Sequence, residues 1–282
     1  MRNVIDVTEA PYNAVCNNSA DDWDAIQRAH DDLKLGGLMI IPGVSKISQP
    51  LAISKPISFR GLHRTSTGLF SFGDEKVLTI ADNIAVEVSN MGLYGFQDAN
   101  ATANVCEVGI NADVTFRDLN IWGGLWALKY QGSDSTIDNC FISGAGADGG
   151  CVYSQGSGWW KRVKCDKGAF AQQFCFMQGS PVMPGTIEQS FVQCDFSGDY
   201  ESSFYVDDGG TRVVSCVLSQ CVTSNQIIVG TALWLAFGQH RFGAGINVVG
   251  PNVPITVADS LALTRIGVNG TVKHLSNNIN IQ

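Results

Sequence analysis

Phe116-Arg117-Asp118-Leu119-Asn120-Ile121-Trp122-Gly123 is the stretch on which the fold turns, because its form returns four times before residue 221. Ile137-Asp138-Asn139-Cys140-Phe141-Ile142-Ser143-Gly144 repeats it. So do Trp160-Lys161-Arg162-Val163-Lys164-Cys165-Asp166-Lys167 and Phe191-Val192-Gln193-Cys194-Asp195-Phe196-Ser197-Gly198. Val213-Val214-Ser215-Cys216-Val217-Leu218-Ser219-Gln220 completes five copies of apolar-x-x-apolar-x-apolar-x-Gly, with Gly replaced in two. The starts lie 21, 23, 31 and 22 residues apart. Self-similarity at such a period is the mark of a solenoid, in which each unit buries its apolar face only by stacking on the next.

With the spacing known, the repeat extends both ways. Val88 to Gly95 and Leu263 to Gly270 fit fully, while Ile57-x-Phe59-x-Gly61 and Ile246-x-Val248-x-Gly250 fit the second half. That predicts about nine coils, starting near 54, 88, 116, 137, 160, 191, 213, 243 and 263. A second series advances in step: Gln131-Gly-Ser, Gln155-Gly-Ser, Gln178-Gly-Ser, then Asp208-Gly-Gly. Coils in register stand about 4.8 Å apart, as neighbouring strands do, so stacked amides can hydrogen-bond along the axis. A leucine-rich repeat is the structural rival. Its units are Leu-dominated with Asn or Cys three after the last Leu; here the inward residues are Phe, Ile, Val and Cys, and Gly sits two after.

Bulk properties narrow the function classes. The 282 residues are 45% hydrophobic and 16% charged, enough apolar content for a large core and unlike a disordered chain. Thirty-one Gly against eight Pro suit many tight corners. A net charge of −8 and a pI near 4.9 argue against nucleic-acid binding, which calls for a basic stripe; an anionic partner would need a local positive patch. The apolar window Ile227 to Phe237 is about half a membrane span, so no membrane insertion is expected. The start of the chain lacks an apolar signal region, which predicts synthesis in a cytoplasm without a signal peptide. Nine Cys without a C-x-x-C pair fit neither a complete disulfide framework nor a zinc ribbon. Cys140, Cys194 and Cys216 share one inward slot and Cys165 takes the next, as small core residues.

At the N-terminal end, residues 3–7 read as a strand and Ser19-Ala20-Asp21-Asp22 as a capping signal. Trp23, Ile26, His30 and Leu33 then share one helical face until Gly36-Gly37. Strands follow at Leu38–Ile41, Lys46–Ile53 and Pro56–Gly61. The run Asp21-Asp22-Trp23-Asp24-Ala25-Ile26-Gln27-Arg28-Ala29, the Gly-Gly break, Met39-Ile40-Ile41-Pro42-Gly43 and Ile57-Ser58-Phe59-Arg60-Gly61 together resemble the entry segment of the pectate-lyase-like superfamily. Phage tailspikes and capsule depolymerases belong to it. Two positions depart from the pattern: Ala14-Val15-Cys16-Asn17-Asn18 replaces a Gly-Asp-Gly, and Ser45 stands for a Tyr. The resemblance implies an all-β fold, a right-handed parallel β-helix with a short N-terminal capping α-helix. On this reading residues 1–61 hold the first strand, the helix and the first coil. Residues 62–226 hold the regular coils and 227–282 a less regular terminal part, all in one domain.

Chemistry is less legible. Side chains two, four and six after the first apolar residue should face solvent. This puts Arg162, Lys164 and Asp195 together as a charged substrate-binding subsite, or as ion pairs on a solvated sheet. Trp122 and Trp159, among many aromatics that also include Trp126, Tyr153 and Trp160, are platforms for sugar rings if exposed, and fill the bore or a contact between subunits if buried. Trp159 and Trp160 should split, one outward and one inward. One longer coil carries Asp199, Glu201, Asp207 and Asp208, which could supply the paired carboxylates of glycoside hydrolysis or the base of a lyase; Asp207-Asp208-Gly209-Gly210 also reads simply as a turn. The four His are dispersed and no phosphate loop is present, so neither metal nor cofactor is expected.

The resemblance implies a virion tail protein that recognises, and cleaves or only binds, a host cell-surface polysaccharide. It also implies a homotrimer contacting other tail proteins. The end of the chain shortly after a coil suits a minimal spike, one piece of a larger assembly or a β-helix used structurally. Two further readings stay open: a non-catalytic structural or adhesin β-helix, and a free-standing polysaccharide lyase or hydrolase.

Overall fold

The computed structural model describes backbone and side chains for residues 3–166, 188–196 and 217–222. For residues 2, 187, 214–216 and 223, for the strands Gln173–Gln178 and Ser202–Asp207, and for the short strands between Ile227 and Ile281, it describes the backbone alone. The chain winds as a parallel β-solenoid. Among the described residues its strands form two parallel sheets, a long sheet of twenty and a second sheet of eleven. Inward residues stack coil on coil in the bore. In the long sheet Val88, Phe116, Ile137, Trp160, Phe191 and Leu218 form one column. In the second sheet Leu51, Leu78, Cys106, Leu128 and Val152 form another. All of them are buried, and each such side chain contributes about 1.5–3 kcal/mol on leaving water.

The repeat has a backbone cause. Asn90, Asp118, Asn139, Arg162, Gln193 and Gln220, one per coil, sit in the left-handed region with φ between 52° and 56°. One such residue bends the strand, so that apolar residues three apart, Phe116 and Leu119 or Ile137 and Cys140, both point inward. Strict alternation would send one of them to solvent. Asn and Asp tolerate that conformation best, and the first three coils of the series use them. The Gly closing the motif also has a steric reason. A Cβ on Gly144 would lie 1.9 Å from the carbonyl oxygen of Gly150, so only Gly lets the main chain pass.

The pairing corrects parts of the sequence reading. In the fifth copy Leu218, not Val213, stands beside Phe191. The slot of Cys140 and Cys194 therefore passes to Cys221, whose thiol lies 3.4 Å from the Cys194 amide, and not to Cys216. The matches at Ile246 and Leu263 are real strands but belong to the second sheet; the long sheet continues there through Trp234–Gly238. The coil count also differs from nine, the second sheet alone holding eleven strands. Opposite Gln178 stands Asp207, not Asp208. The Gln stack itself is present, with Gln131 Nε2 donating to Gln155 Oε1 at 2.8 Å.

The helix spans Trp23–Asp32 and packs Ile26, Ala29 and His30 against the first coils. It starts at Trp23, four residues beyond Ser19, which lies in the strand Asn17–Asp21 and bonds Asn17 instead. Its end is also earlier than the Gly pair. Leu33 turns extended, and Gly36 and Gly37 sit inside the strand Leu33–Ile41. Lys55 Nζ caps the exit, donating to the carbonyls of Asp31 at 2.9 Å and Leu33 at 2.6 Å, as cations do at helix C-termini. The cysteine slots behave as core: burial pushes the Cys140 thiol up to about 12.

Candidate functional site

The outer face of the long sheet is built from columns of outward side chains, one residue per coil. Next to the bend, on its far side, Asn120, Phe141, Lys164, Asp195 and Val222 align. Lys164 and Asp195 are thus neighbours, as the repeat requires. Arg162 occupies the bend itself and is engaged by the preceding coil. Its guanidinium donates to both oxygens of Asp138 at 2.6–3.0 Å, and that hydrogen bond and charge raise its pKa further. A solvated pair of this kind adds little stability. In the same bend column Asn139 Nδ2 donates to Asp118 Oδ1, and Gln193 Nε2 to Gln220 Oε1 at 3.1 Å.

The two tryptophan candidates part company. Trp159 stands outward, 66% exposed, between Thr136 and Ser190 on the neighbouring coils, while Trp160 is 1% exposed in the bore. Trp122, 42% exposed, lies beside Tyr94 and Ser143 on other coils and beyond the bend. Trp126 and Tyr153 pack on each other at 5.5 Å on the second sheet. The structure therefore groups Arg162, Lys164 and Asp195, with Trp159 three residues before Arg162 on the same coil, and leaves Trp122 apart. Asp199, Glu201 and Asp208 lie outside the described residues. Asp207 ends a described strand, but its side chain is not among those described.

Two columns nearer the start of each strand escaped the sequence reading. Three residues before the first inward residue come Asp113, Asp134, Ser157 and Glu188 in successive coils; one before it come Glu87, Thr115, Thr136, Trp159 and Ser190. Asp134, Ser157, Trp159 and Glu188 line a cleft of about 220 Å³, and the Glu188 amide donates to Ser157 Oγ at 3.0 Å. Burial, and then the negative charge of Asp134 on the next coil, push the Asp113 carboxyl above the usual carboxylate range. Asp113 in turn borders a second cleft of about 240 Å³ with Glu87 and Thr115. Continuing the alternation three residues upstream of each repeat would have exposed both columns. Among the described residues no group of three or more His, Cys, Asp or Glu could hold a metal ion, and no helix is long and apolar enough to cross a membrane.

No protein-family model and no curated protein matches this chain. Solved structures do. Full-length tailspike protein 2 of the Escherichia coli O157:H7 bacteriophage CAB120 superposes with a TM-score of 0.62 at 12% identity, over 100% of this chain and 42% of that one. ORF18 of Geobacillus virus E2 gives 0.58 at 13% identity, over 92% and 62%. The Dettilon tailspike protein gives 0.54 at 13% identity, over 95% and 65%. The chain thus spans less than two thirds of the length of each of these proteins. In fold, it is a parallel β-helix of the phage-tailspike kind.

Proposed function

We propose that the chain is a tailspike-like virion component that recognises a host cell-surface polysaccharide along the outer face of its long sheet. It would act within a homotrimer docked on other tail proteins. The observation that carries this reading is Trp159, a large aromatic 66% exposed at the mouth of a polar cleft. A flat apolar ring beside Asp134, Ser157 and Glu188 offers a stacking surface together with acceptors for sugar hydroxyls, the combination ligand pockets use. Arg162 at the bend, and Lys164 and Asp195 beyond it, extend the same face. The tailspike fold agrees with it.

Titration of the full chain with oligosaccharides from capsular polysaccharide and lipopolysaccharide tests the reading. Binding is expected, and Trp159→Ala should weaken it about tenfold or more, the loss of one stacked hot-spot aromatic. No binding to any glycan would leave the non-catalytic structural role instead.

One observation favours a second, hydrolytic reading. Asp134 and Glu188 are two coils apart, roughly 9.6 Å by strand spacing, near the upper end of the separation inverting glycosidases use. New reducing ends on incubation with the bound polysaccharide, abolished in Asp134→Asn or Glu188→Gln, would support it. Asp207→Asn and Asp208→Asn test the candidates on the longer coil, with Asp199 and Glu201, in the same assay.

A further inference from the structure

A cleft of about 320 Å³ opens at the N-terminal end of the same face, lined by Arg60, Arg117, Glu87, Ser89 and Asn90. Its geometry follows from the register. Arg60, Ser89 and Arg117 are direct neighbours on three successive coils, so the two arginines stand roughly 10 Å apart at their backbones, by strand spacing. Between them the small Ser89 forms a floor that is only 6% exposed. Neither guanidinium makes a hydrogen bond or ion pair among the described residues, and neither does Glu87. Elsewhere on this face the exposed arginine at the bend, Arg162, is already held by a carboxylate. In a chain of net charge −8, two unengaged arginines flanking one recess are the local positive patch an anionic partner would need.

We infer that this cleft is a subsite for a sugar unit bearing a carboxylate, so that the polymer recognised is an acidic polysaccharide of the uronate class. The inference rests on the polysaccharide reading above and specifies its ligand. Guanidinium forks bind carboxylates with paired, charge-assisted hydrogen bonds. Glu87, half-buried in the same recess, accepts hydrogen bonds from ring hydroxyls. It would repel a phosphate dianion more strongly than a monoanionic carboxylate, which favours the carboxylate over a phosphate monoester. Glu87 also borders the next cleft, with Asp113, and Asp113 is followed in its column by Asp134 of the Trp159 cleft. One polymer strand running along the axis would span the three inter-coil steps from Ser89 to Trp159, roughly 14 Å.

The test titrates the full chain with oligogalacturonate and oligoglucuronate, each beside its carboxyl-reduced neutral counterpart, and with the capsular and lipopolysaccharide oligosaccharides. At least one acidic oligomer should bind, and carboxyl reduction should weaken it about tenfold or more, the scale of a charge-assisted contact. Arg60→Gln and Arg117→Gln should each weaken the acidic oligomer about tenfold and its carboxyl-reduced counterpart by far less, with Arg117→Lys intermediate. Both side chains are exposed, so the variants should fold, which circular dichroism checks. If glycans bind without preference for the carboxylate, or if the arginine variants bind like wild type, the inference is wrong while the polysaccharide reading stands. If no glycan of either kind binds, both are wrong.

Discussion

Trp160→Ala should cost about 3–5 kcal/mol of folding stability, the range for emptying a buried aromatic site. The residue is the widest filling of the bore on its coil. It stacks on Phe191 with centroids 5.5 Å apart and planes 20° apart, and meets the edge of Tyr130 at 5.6 Å. Phe191 passes the contact to Phe196 at 5.7 Å, so one deletion loosens an aromatic series across adjacent coils. Such pairs add about 0.5–1.5 kcal/mol beyond their buried area. The indole N–H also donates to Gln189 Oε1, and Gln189 Nε2 bonds Ser154 Oγ at 2.8 Å. Removing the indole leaves a buried acceptor without its donor, at about 1–3 kcal/mol. Solenoid coils are held by their neighbours, and the damage should spread to the coils on either side. The adjacent Trp159→Ala should change stability by no more than about 0.5 kcal/mol, as surface substitutions do. Denaturant unfolding of the two variants measures the contrast; equal losses would mean that the two rings are not split across the wall.

Asp22→Ala should cost about 3 kcal/mol, concentrated at the N-terminal end. The side chain is 3% exposed and both its oxygens are used, accepting from the amides of Val15 at 2.7 Å and Cys16 at 2.9 Å. Its main chain holds the next layer, the N–H donating to Lys46 O at 2.9 Å and the carbonyl accepting from Ile26 at 3.0 Å. One residue thus ties the Ala14–Asn18 run, the helix start and a strand of the first coil. Hydrogen bonds to a charged acceptor contribute about 1.5–3 kcal/mol each. Asp22→Asn is the sharper control, because its amide keeps one acceptor and points a donor at a donor. It should lose nearly as much as alanine. Hydrogen exchange at residues 15 and 16 should accelerate in both variants, with the aromatic coils around Trp160 unaffected.

The fold was legible because the bend at Asn90, Asp118, Asn139, Arg162, Gln193 and Gln220 writes itself into the sequence of those coils as apolar-x-x-apolar-x-apolar. The register of the fifth copy was not. Val213-Val214-Ser215-Cys216 imitates the motif five residues before the strand pairing uses it, and only the neighbour of Phe191 decides between them. The matches at Ile246 and Leu263 misled for a related reason: both sheets alternate inward apolar with outward polar residues, so periodicity alone does not say which wall a strand belongs to. Asp22 was recognised as special at the helix start, but its carboxylate turns back to the preceding loop rather than to the helix. The outward columns were the least legible part. Asp113, Asp134, Ser157 and Glu188 share a place but not a residue type, because outward positions are free of the packing that makes the inward columns repeat. Trp159 was picked out by its neighbour, since two adjacent tryptophans on a strand must face opposite sides.

Hydroxyl-radical footprinting of the full chain, with and without its tightest-binding oligosaccharide, bears most directly on the claim that this face holds the polymer. Trp159 should be oxidised severalfold less in the complex. Phe72, 52% exposed and outside the three clefts, should react equally in both. Protection elsewhere with Trp159 oxidised at its unliganded rate would contradict the account and move recognition to another face of the solenoid.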